Sequence, residues 1–302
     1  MAYPGKIIDS HVHIFNPTRA DEVIQMEHDY GYNNFNILSL EAIRDGQNEM
    51  CIDLAKRTDC TFYAGLNHKS KDYAAQARNM LAQGAKGYKM IEGKPGVYRD
   101  LSQPLTAAPM MEFYGELEKH NAVLLLHAGD PPDFWSNATA PSWAVENGWT
   151  YDDPSFPSLE KIRGEVEEIA AAFPKLKFIL AHFYFIADSI SEAARILDSY
   201  PCVVFDLCPG TEMYSHFSKK PQEWREFFVK YQDRILFGTD NYEVDTPKDR
   251  FDKDEINRLV HTFLQTDEGF KVWDLEIQGI NLPLEVLEKI YYRNFEKLIK
   301  GE

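Results

Sequence analysis

Eight short apolar runs recur along this 302-residue chain, separated by longer stretches, most with apolar residues at three- and four-residue spacing. Most runs are continuous rather than alternating, as expected for parallel strands covered on both faces. Eight strand-then-helix units in series predict a (β/α)8 TIM barrel, with an open doubly wound sheet as the alternative. The predicted strands are residues 6–14, 33–40, 60–68, 85–92, 122–129, 177–185, 202–208 and 234–240.

This architecture predicts one domain over residues 1–302 that ends in a helical extension at 283–300. Two connections, 128–157 and 241–254, are long and would lie on the C-terminal face, where the active sites of such barrels form. The first is rich in aromatic residues and predicts an ordered lid. Trp135 is its best candidate for a substrate contact, with packing in the core as the alternative.

Charge and composition restrict the partners of the chain. Its net charge is −16, from 32 basic and 48 acidic residues, and such a field repels nucleic acid. No run has the length of a membrane span or the form of a signal peptide, and the four cysteines form no CxxC pair. We therefore expect a cytoplasmic protein that acts on a small molecule and binds neither nucleic acid nor membrane.

Side chains that can bind metals stand at the carboxyl ends of four predicted strands. His11 and His13 are two residues apart and so share one face of the first strand. His127 ends the fifth run, His182 follows the apolar part of the sixth, and Asp240 ends the eighth. A single histidine at a strand end is often only polar rim, but all five would converge on one mouth of a barrel. The set therefore predicts a metal site.

Imidazole and carboxylate groups are good ligands for zinc and also serve manganese, iron or nickel. An ion held there would lower the pKa of a water molecule to about 7. Asp240 could bind the metal and also accept the proton of that water.

These motifs together resemble the amidohydrolase superfamily, specifically the amidohydrolase-2 branch related to aminocarboxymuconate-semialdehyde decarboxylase. IDSHVH resembles the first-strand metal motif of the branch, LAHF its sixth-strand histidine and FGTDNY its eighth-strand aspartate. KIYYRNFEKLI resembles its C-terminal ending, so the resemblance covers residues 6–300. The chain departs from many members at HFYF, residues 182–185, where aromatic residues replace glycines, and we expect a different pocket shape.

The resemblance implies one divalent ion, with zinc expected first and manganese as the alternative. It implies His11, His13, His127 and Asp240 as ligands, with His182 as an acid/base or carbonyl-polarising group that some relatives use as a ligand. A homodimer is common among relatives.

Two basic residues near the fourth strand have open roles. In binuclear members a fourth-strand lysine is carbamylated and bridges two metals. Lys89 lies on this strand, but it could instead bind a substrate carboxylate or form a buried ion pair. Arg99 would suit a carboxylate substrate by bidentate pairing, with a surface position as the alternative.

The predicted function is a metal-dependent hydrolase for a small carboxylated substrate with a C–N or C–O bond to break. The alternative on the same scaffold is a non-oxidative decarboxylase. A third hypothesis, a non-catalytic barrel, is disfavoured by the intact ligand set.

Overall fold

Eight parallel strands form a barrel in the computed structural model, which describes residues 3–300. The strands pair in sequence order, and the barrel closes where Val12 forms a parallel bridge with Asn241. The predicted TIM barrel is confirmed. Its strands are β1 (Ile8–Val12), β2 (Asn34–Leu38), β3 (Thr61–Ala64), β4 (Gly87–Gly93), β5 (Val123–Ala128), β6 (Lys177–Leu180), β7 (Val203–Asp206) and β8 (Ile235–Leu236).

Helices surround the barrel and lie in the stretches between strands, where the spacing of apolar residues predicts them. Connections after β4, β5 and β7 carry additional short helices, and a two-stranded hairpin follows the last barrel helix, which the apolar pattern did not predict. Within residues 3–300, no helix is both long and apolar enough to cross a membrane. The helices are α1 (Ala20–Asp29), α2 (Gln47–Arg57), α3 (Tyr73–Ala82), α4 (Pro95–Leu101), α5 (Ala108–Lys119), α6 (Ser142–Glu146), α7 (Leu159–Ala172), α8 (Ile190–Ser199), α9 (Thr211–Ser218), α10 (Pro221–Lys230), α11 (Pro247–Gln265), α12 (Leu284–Glu288) and α13 (Asn294–Lys300), and the hairpin is β9 (Gly269–Val272) with β10 (Leu275–Gln278).

Alternate residues of the strands fill the barrel interior, as expected for a packed TIM-barrel core. This inner cluster is separate from the larger apolar layer between strands and helices. Phe295 of α13 packs into the inner cluster and covers it from the C-terminal extension. The other members of the inner cluster are Ile8, Leu38, Tyr63, Val123, Leu125, Ile179, Ala181, Val204 and Leu236.

Besides the packing of Phe295, the buried side-chain amide of Asn294 binds the C-terminal extension to the barrel. Asn294 begins α13, directly after a π-helical turn at Lys289–Arg293. Its side-chain nitrogen donates to the carbonyls of Gln232 and Ile235, at 2.7 and 2.8 Å, where the chain enters β8. Asn294, the asparagine of the KIYYRNFEKLI motif, thus stabilises the fold and does not contribute to the site.

Replacing this amide tests the attachment. We expect Asn294→Ala to lower the free energy of unfolding by roughly 1–3 kcal/mol, because two backbone carbonyls lose their side-chain donor. Urea denaturation followed by circular dichroism measures the change, and Lys297→Ala, an exposed position on α13, is the control. Equal stability of Asn294→Ala and wild type would contradict this role.

Candidate active site

The inner rows of three strands lead directly to polar groups at the mouth. Inward residues recur at every second position, so the row that contains Leu125 continues to His127 on β5. On β7 the row of Val204 continues to Asp206. On β4 the same alternation turns Lys89 inward, where it is only 2% exposed. Strand geometry alone therefore brings these three polar groups to one mouth.

A register shift sets the direction of the first histidine pair. The pairing of β1 with β2 shifts between Asp9 and Val12, so that Ile8 belongs to the inner cluster and Val12 to the outer layer. Such bulges re-aim side chains next to active sites. Both His11 and His13 consequently line the cavity at the mouth.

His182 reaches the mouth through an unusual backbone turn rather than as the end of a strand. The predicted sixth strand, 177–185, is wrong in its second half, because β6 ends at Leu180. Residues 182–185 all have positive φ, between 51° and 57°, which costs on the order of 1 kcal/mol for each non-glycine residue. In a continued strand Phe183, not His182, would share the inward row of Ala181. The left-handed turn brings His182 into the cavity lining instead.

The aromatic residues of this turn have different places. Phe183 is fully buried in the outer layer, with its ring centroid 4.7 Å from Phe205 and 5.0 Å from Phe217. Phe185 lines the cavity, and its ring stacks on His182 at 5.2 Å. Packing of Phe183 thus offsets the backbone strain of the turn, while Phe185 narrows the pocket.

Each of the four histidines has one ring nitrogen next to an acceptor that is a carboxylate or a backbone carbonyl. Such acceptors require an N–H, which leaves the other ring nitrogen of each histidine as the one with a lone pair. Metal-binding histidines almost always show this pattern. The pairs are His11 Nδ1 with Asp206 Oδ2 (2.8 Å), His13 Nδ1 with the Leu38 carbonyl (3.1 Å), His182 Nδ1 with the Cys208 carbonyl (3.2 Å) and His127 Nε2 with Asp130 Oδ1 (3.1 Å).

The remaining nitrogens converge. Nε2 of His13 and of His11 lie 3.4 and 3.8 Å from Oδ1 of Asp240. Nδ1 of His127 lies 3.2 Å from Nε2 of His182. Because both nitrogens present a lone pair at this distance, a proton or a cation must lie between them or beside them. The donor set therefore fits a divalent cation, which accepts lone pairs from neutral imidazole and carboxylate.

Two groups of three residues each place their ligand atoms within 4.8 Å of one another, and His11 belongs to both groups. His13 and Asp240 complete the first group, and His182 and the thiol of Cys208 complete the second. His127 belongs to neither and approaches the site only through His182. Cys208 is fully buried, and burial raises the pKa of its thiol well above the ordinary value.

Burial controls the charge of these groups. It lowers the pKa of all four histidines, that of His13 and of His182 to about 4, so the imidazoles are neutral at pH 7. Burial likewise lowers the pKa of Lys89 and raises that of Asp206 to about 6. Neutral imidazole is the form that binds metals.

A second acid holds the fifth-strand histidine. Asp130 accepts from His127 and, on its other side, from the Lys94 ammonium at 2.8 Å and the Tyr151 hydroxyl. Burial alone would raise the pKa of Asp130, but the hydrogen bond from His127 and the charge of Lys94 hold it below the ordinary value. The sequence did not predict a role for Asp130, because it lies in the loop after β5, outside the alternating pattern of the strand.

The inward groups open into a cavity of about 510 Å³, within the usual size of small-molecule sites. The lid supplies part of its wall, since Trp143 and Trp149 both line it and Lys94 lies 4.7 Å from the Trp149 ring. The predicted lid is therefore ordered and borders the site with its aromatic residues. The aromatic lining residues are Phe15, Phe134, Trp143, Trp149, Phe185 and Tyr242.

Two of the three predicted substrate contacts lie outside this lining. Arg99 sits on α4 with its guanidinium 4.6 Å from the Phe156 ring, and it pairs with the adjacent Asp100. Trp135 packs on Tyr151 within the lid, and its indole N–H donates to the Pro157 carbonyl. Structure thus favours the surface and packing alternatives for these residues.

Lys89, in contrast, does line the cavity, with Nζ 3.2 Å from His11 Nε2. Sequence reasoning did not identify Asp206, although this residue ends the apolar strand β7 in the same way as the predicted ligands end theirs. Lys94 and Glu212 also line the cavity, but they stand at no strand end, and sequence reasoning did not identify them either.

Comparison with known proteins identifies the family of the chain. The amidohydrolase family model Amidohydro_2 matches residues 8–300. The chain therefore belongs to the amidohydrolase-2 family, as its motifs predicted, and members of that family are enzymes of the amidohydrolase superfamily. None of the curated proteins compared with the chain matches it in sequence.

Solved structures share the fold at low sequence identity. A 2,6-dihydroxybenzoate decarboxylase from Rhizobium is 15% identical, with 98% of this chain and 99% of that one covered and a TM-score of 0.56. A dihydroxybenzoic acid decarboxylase from Polaromonas, with bound manganese and the inhibitor 2-nitroresorcinol, is 14% identical, with 98% and 97% covered and a TM-score of 0.58. A probable 2-pyrone-4,6-dicarboxylic acid hydrolase from Acinetobacter baumannii, with citric acid bound, is 12% identical, with 98% and 100% covered and a TM-score of 0.57.

The two phenylalanines of the left-handed turn form a matched test. Phe183→Ala should lower the free energy of unfolding by roughly 3–5 kcal/mol, because a fully buried ring leaves a cavity among packed aromatics. Phe185→Ala should cost less, because its ring borders an existing cavity. Urea denaturation of both variants measures this order. The opposite order would mean that the turn is held by the pocket side rather than by the outer layer.

Proposed function

We propose that this protein is a metal-dependent hydrolase that breaks a C–N or C–O bond in a small, planar, carboxylated substrate. The convergence of lone-pair nitrogens beside the Asp240 carboxylate carries the proposal, since a cation and a proton acceptor are what activation of water requires.

His11, His13 and Asp240 would hold the ion, with His127 or His182 completing the set. When bound, the ion polarises a substrate carbonyl and acidifies water. This mixture of imidazole and carboxylate suits zinc first, with manganese as the alternative because relatives of this fold bind it. Asp206 would act from outside by fixing the tautomer and the ring orientation of His11.

The residues of the chain have distinct tasks in hydrolysis. Asp240, ionised at neutral pH, accepts the proton of the attacking water and passes it to the leaving group. His182 faces the same space and, once its Nε2 has taken up a proton, would donate a hydrogen bond to the carbonyl oxygen on which charge develops. The lid and Phe185 exclude bulk water and so strengthen both effects.

The cavity indicates the kind of substrate. Six aromatic side chains in its wall favour a flat, unsaturated or aromatic body. Lys89 projects from the cavity floor beside the candidate metal site and supplies a positive charge for a carboxylate. An uncarbamylated Lys89 in this role replaces the predicted Arg99 contact.

A decarboxylase is the second candidate function. The apolar aromatic wall favours it, because the carboxylate charge spreads into the substrate as carbon dioxide leaves, and a dry environment favours spread over localised charge. Several proteins of the same fold are named as decarboxylases of hydroxylated benzoates. Lys89 would hold the carboxylate in this reaction, and an imidazole acid would protonate the adjacent carbon.

Metal content tests the centre directly. Protein purified without added metal or chelator should contain about one equivalent of zinc or manganese by elemental analysis, and His11→Ala and Asp240→Ala should lose it. About two equivalents, reduced to one in Lys89→Met, would instead support a carbamylated bridge at Lys89. Absence of metal even after reconstitution would contradict the proposed function.

The carboxylate behind His11 provides a subtler test. Asp206→Asn should weaken metal binding by roughly 10–100-fold, because the amide no longer fixes the His11 ring as an acceptor. Competition with a chelator of known affinity measures this change. Asp198→Asn, on the exposed end of α8, is the control and should bind metal like wild type.

A substrate panel separates the two reactions. Lactones, cyclic amides and hydroxylated aromatic carboxylates are incubated with the reconstituted enzyme, and acid release and carbon dioxide release are followed in parallel. We expect acid release without carbon dioxide, and its loss in Asp240→Asn. Carbon dioxide as the product would favour the decarboxylase, and turnover that survives Asp240→Asn would exclude the role given to this aspartate.

A further inference from the structure

Lys253 on α11 is a buried cation next to the candidate site. Only 4% of the residue is exposed, and among the described residues no carboxylate forms an ion pair with it. Its ammonium donates to the backbone carbonyl of Asp240 at 2.7 Å and lies 3.5 Å from the centroid of the Tyr242 ring. Burying an ammonium without an ion pair is unfavourable, so these two contacts must compensate.

The carbonyl that Lys253 binds belongs to a residue with unusual backbone geometry. Asp240 has a φ of 58°, in the left-handed region that non-glycine residues rarely adopt. Its own N–H donates to the His11 carbonyl at 2.9 Å. The Asp240 backbone is thus held by β1 through its N–H and by α11 through its carbonyl.

The same helix makes a second contact one turn later. Asn257 donates to the side-chain oxygen of Asn241 at 3.2 Å and to the Lys253 carbonyl at 2.8 Å. Two residues of α11 therefore bind two consecutive residues at the end of the β8 segment. Neither Lys253 nor Asn257 lines the cavity.

We propose that Lys253 is a positioning residue of the metal centre, which holds Asp240 in the left-handed conformation that directs its carboxylate at His11 and His13. The ammonium does its work through the Asp240 carbonyl and touches no reacting atom. This inference rests on the proposed function, since only a metal centre demands that carboxylate at that place.

Manganese binding to the metal-free protein tests the inference, with free manganese followed by electron paramagnetic resonance. Lys253→Met keeps the aliphatic stem and removes the donor, and we expect roughly 10–100-fold weaker binding. Lys248→Met, an exposed lysine of the same helix, should bind like wild type. Lys253→Arg keeps a cationic donor and should recover part of the loss.

A double-mutant cycle distinguishes positioning from a general structural role. The Asp240→Asn background keeps an amide oxygen as a weaker ligand, so manganese binding stays measurable by titration. In this background Lys253→Met should weaken manganese binding by much less than in wild type, because its effect passes through the native aspartate. An equally large effect in both backgrounds, or equal affinity of Lys253→Met and wild type, overturns the inference and leaves the proposed function intact. Failure of wild type to bind manganese or zinc overturns both. If circular dichroism shows that Lys253→Met does not fold, Lys253→Gln enters the same titrations with the same criteria.

Discussion

The seam between β1 and the segment after β8 is the constraint on which the rest of the site depends. β8 is only two residues long, so closure relies on the backbone and side chains that follow it. The buried Asp9 accepts hydrogen bonds from the His11 N–H and from the N–H and hydroxyl of Thr239. His13 N–H donates across the seam to the Asn241 carbonyl at 2.8 Å. Three candidate ligands lie on the two sides of this seam, so closing the barrel also assembles half of the site.

Close packing at the seam leaves little room for variation. A side chain at Gly238 would place its Cβ 3.0 Å from the Cβ of His11, tighter than most real contacts. Burial raises the pKa of Asp9 to about 7, against the hydrogen bonds from Thr239 and His11, which lower it. Asp9 therefore joins β1 to the segment after β8, and it orients His11 through the backbone N–H of that histidine.

Support of the imidazoles from outside is the second general feature. Asp206, Asp130 and two backbone carbonyls each take one ring N–H, and the lone pairs are thereby turned to the same space. Lys253 does for the Asp240 backbone what Asp206 does for the His11 ring. These contacts hold the imidazoles from the protein side of the site, while the lid and the cavity wall form its other side.

The sequence by itself determined the barrel, the family and the places of His11, His13 and His127, because alternation along parallel strands is a local property. The predicted eighth strand, 234–240, is too long, because β8 ends at Leu236 and Asp240 lies in the segment that follows it. Tertiary structure alone decided the rest, since it depends on contacts between distant segments. The bulge in β1 and the left-handed turn at His182 both break the two-residue period that a sequence pattern can follow. Asp206 and Lys253 contact His11 and Asp240 because the tertiary structure packs β7 and α11 against the β1–β8 seam. Arg99 lies outside the site because α4 directs its side chain to the outer surface.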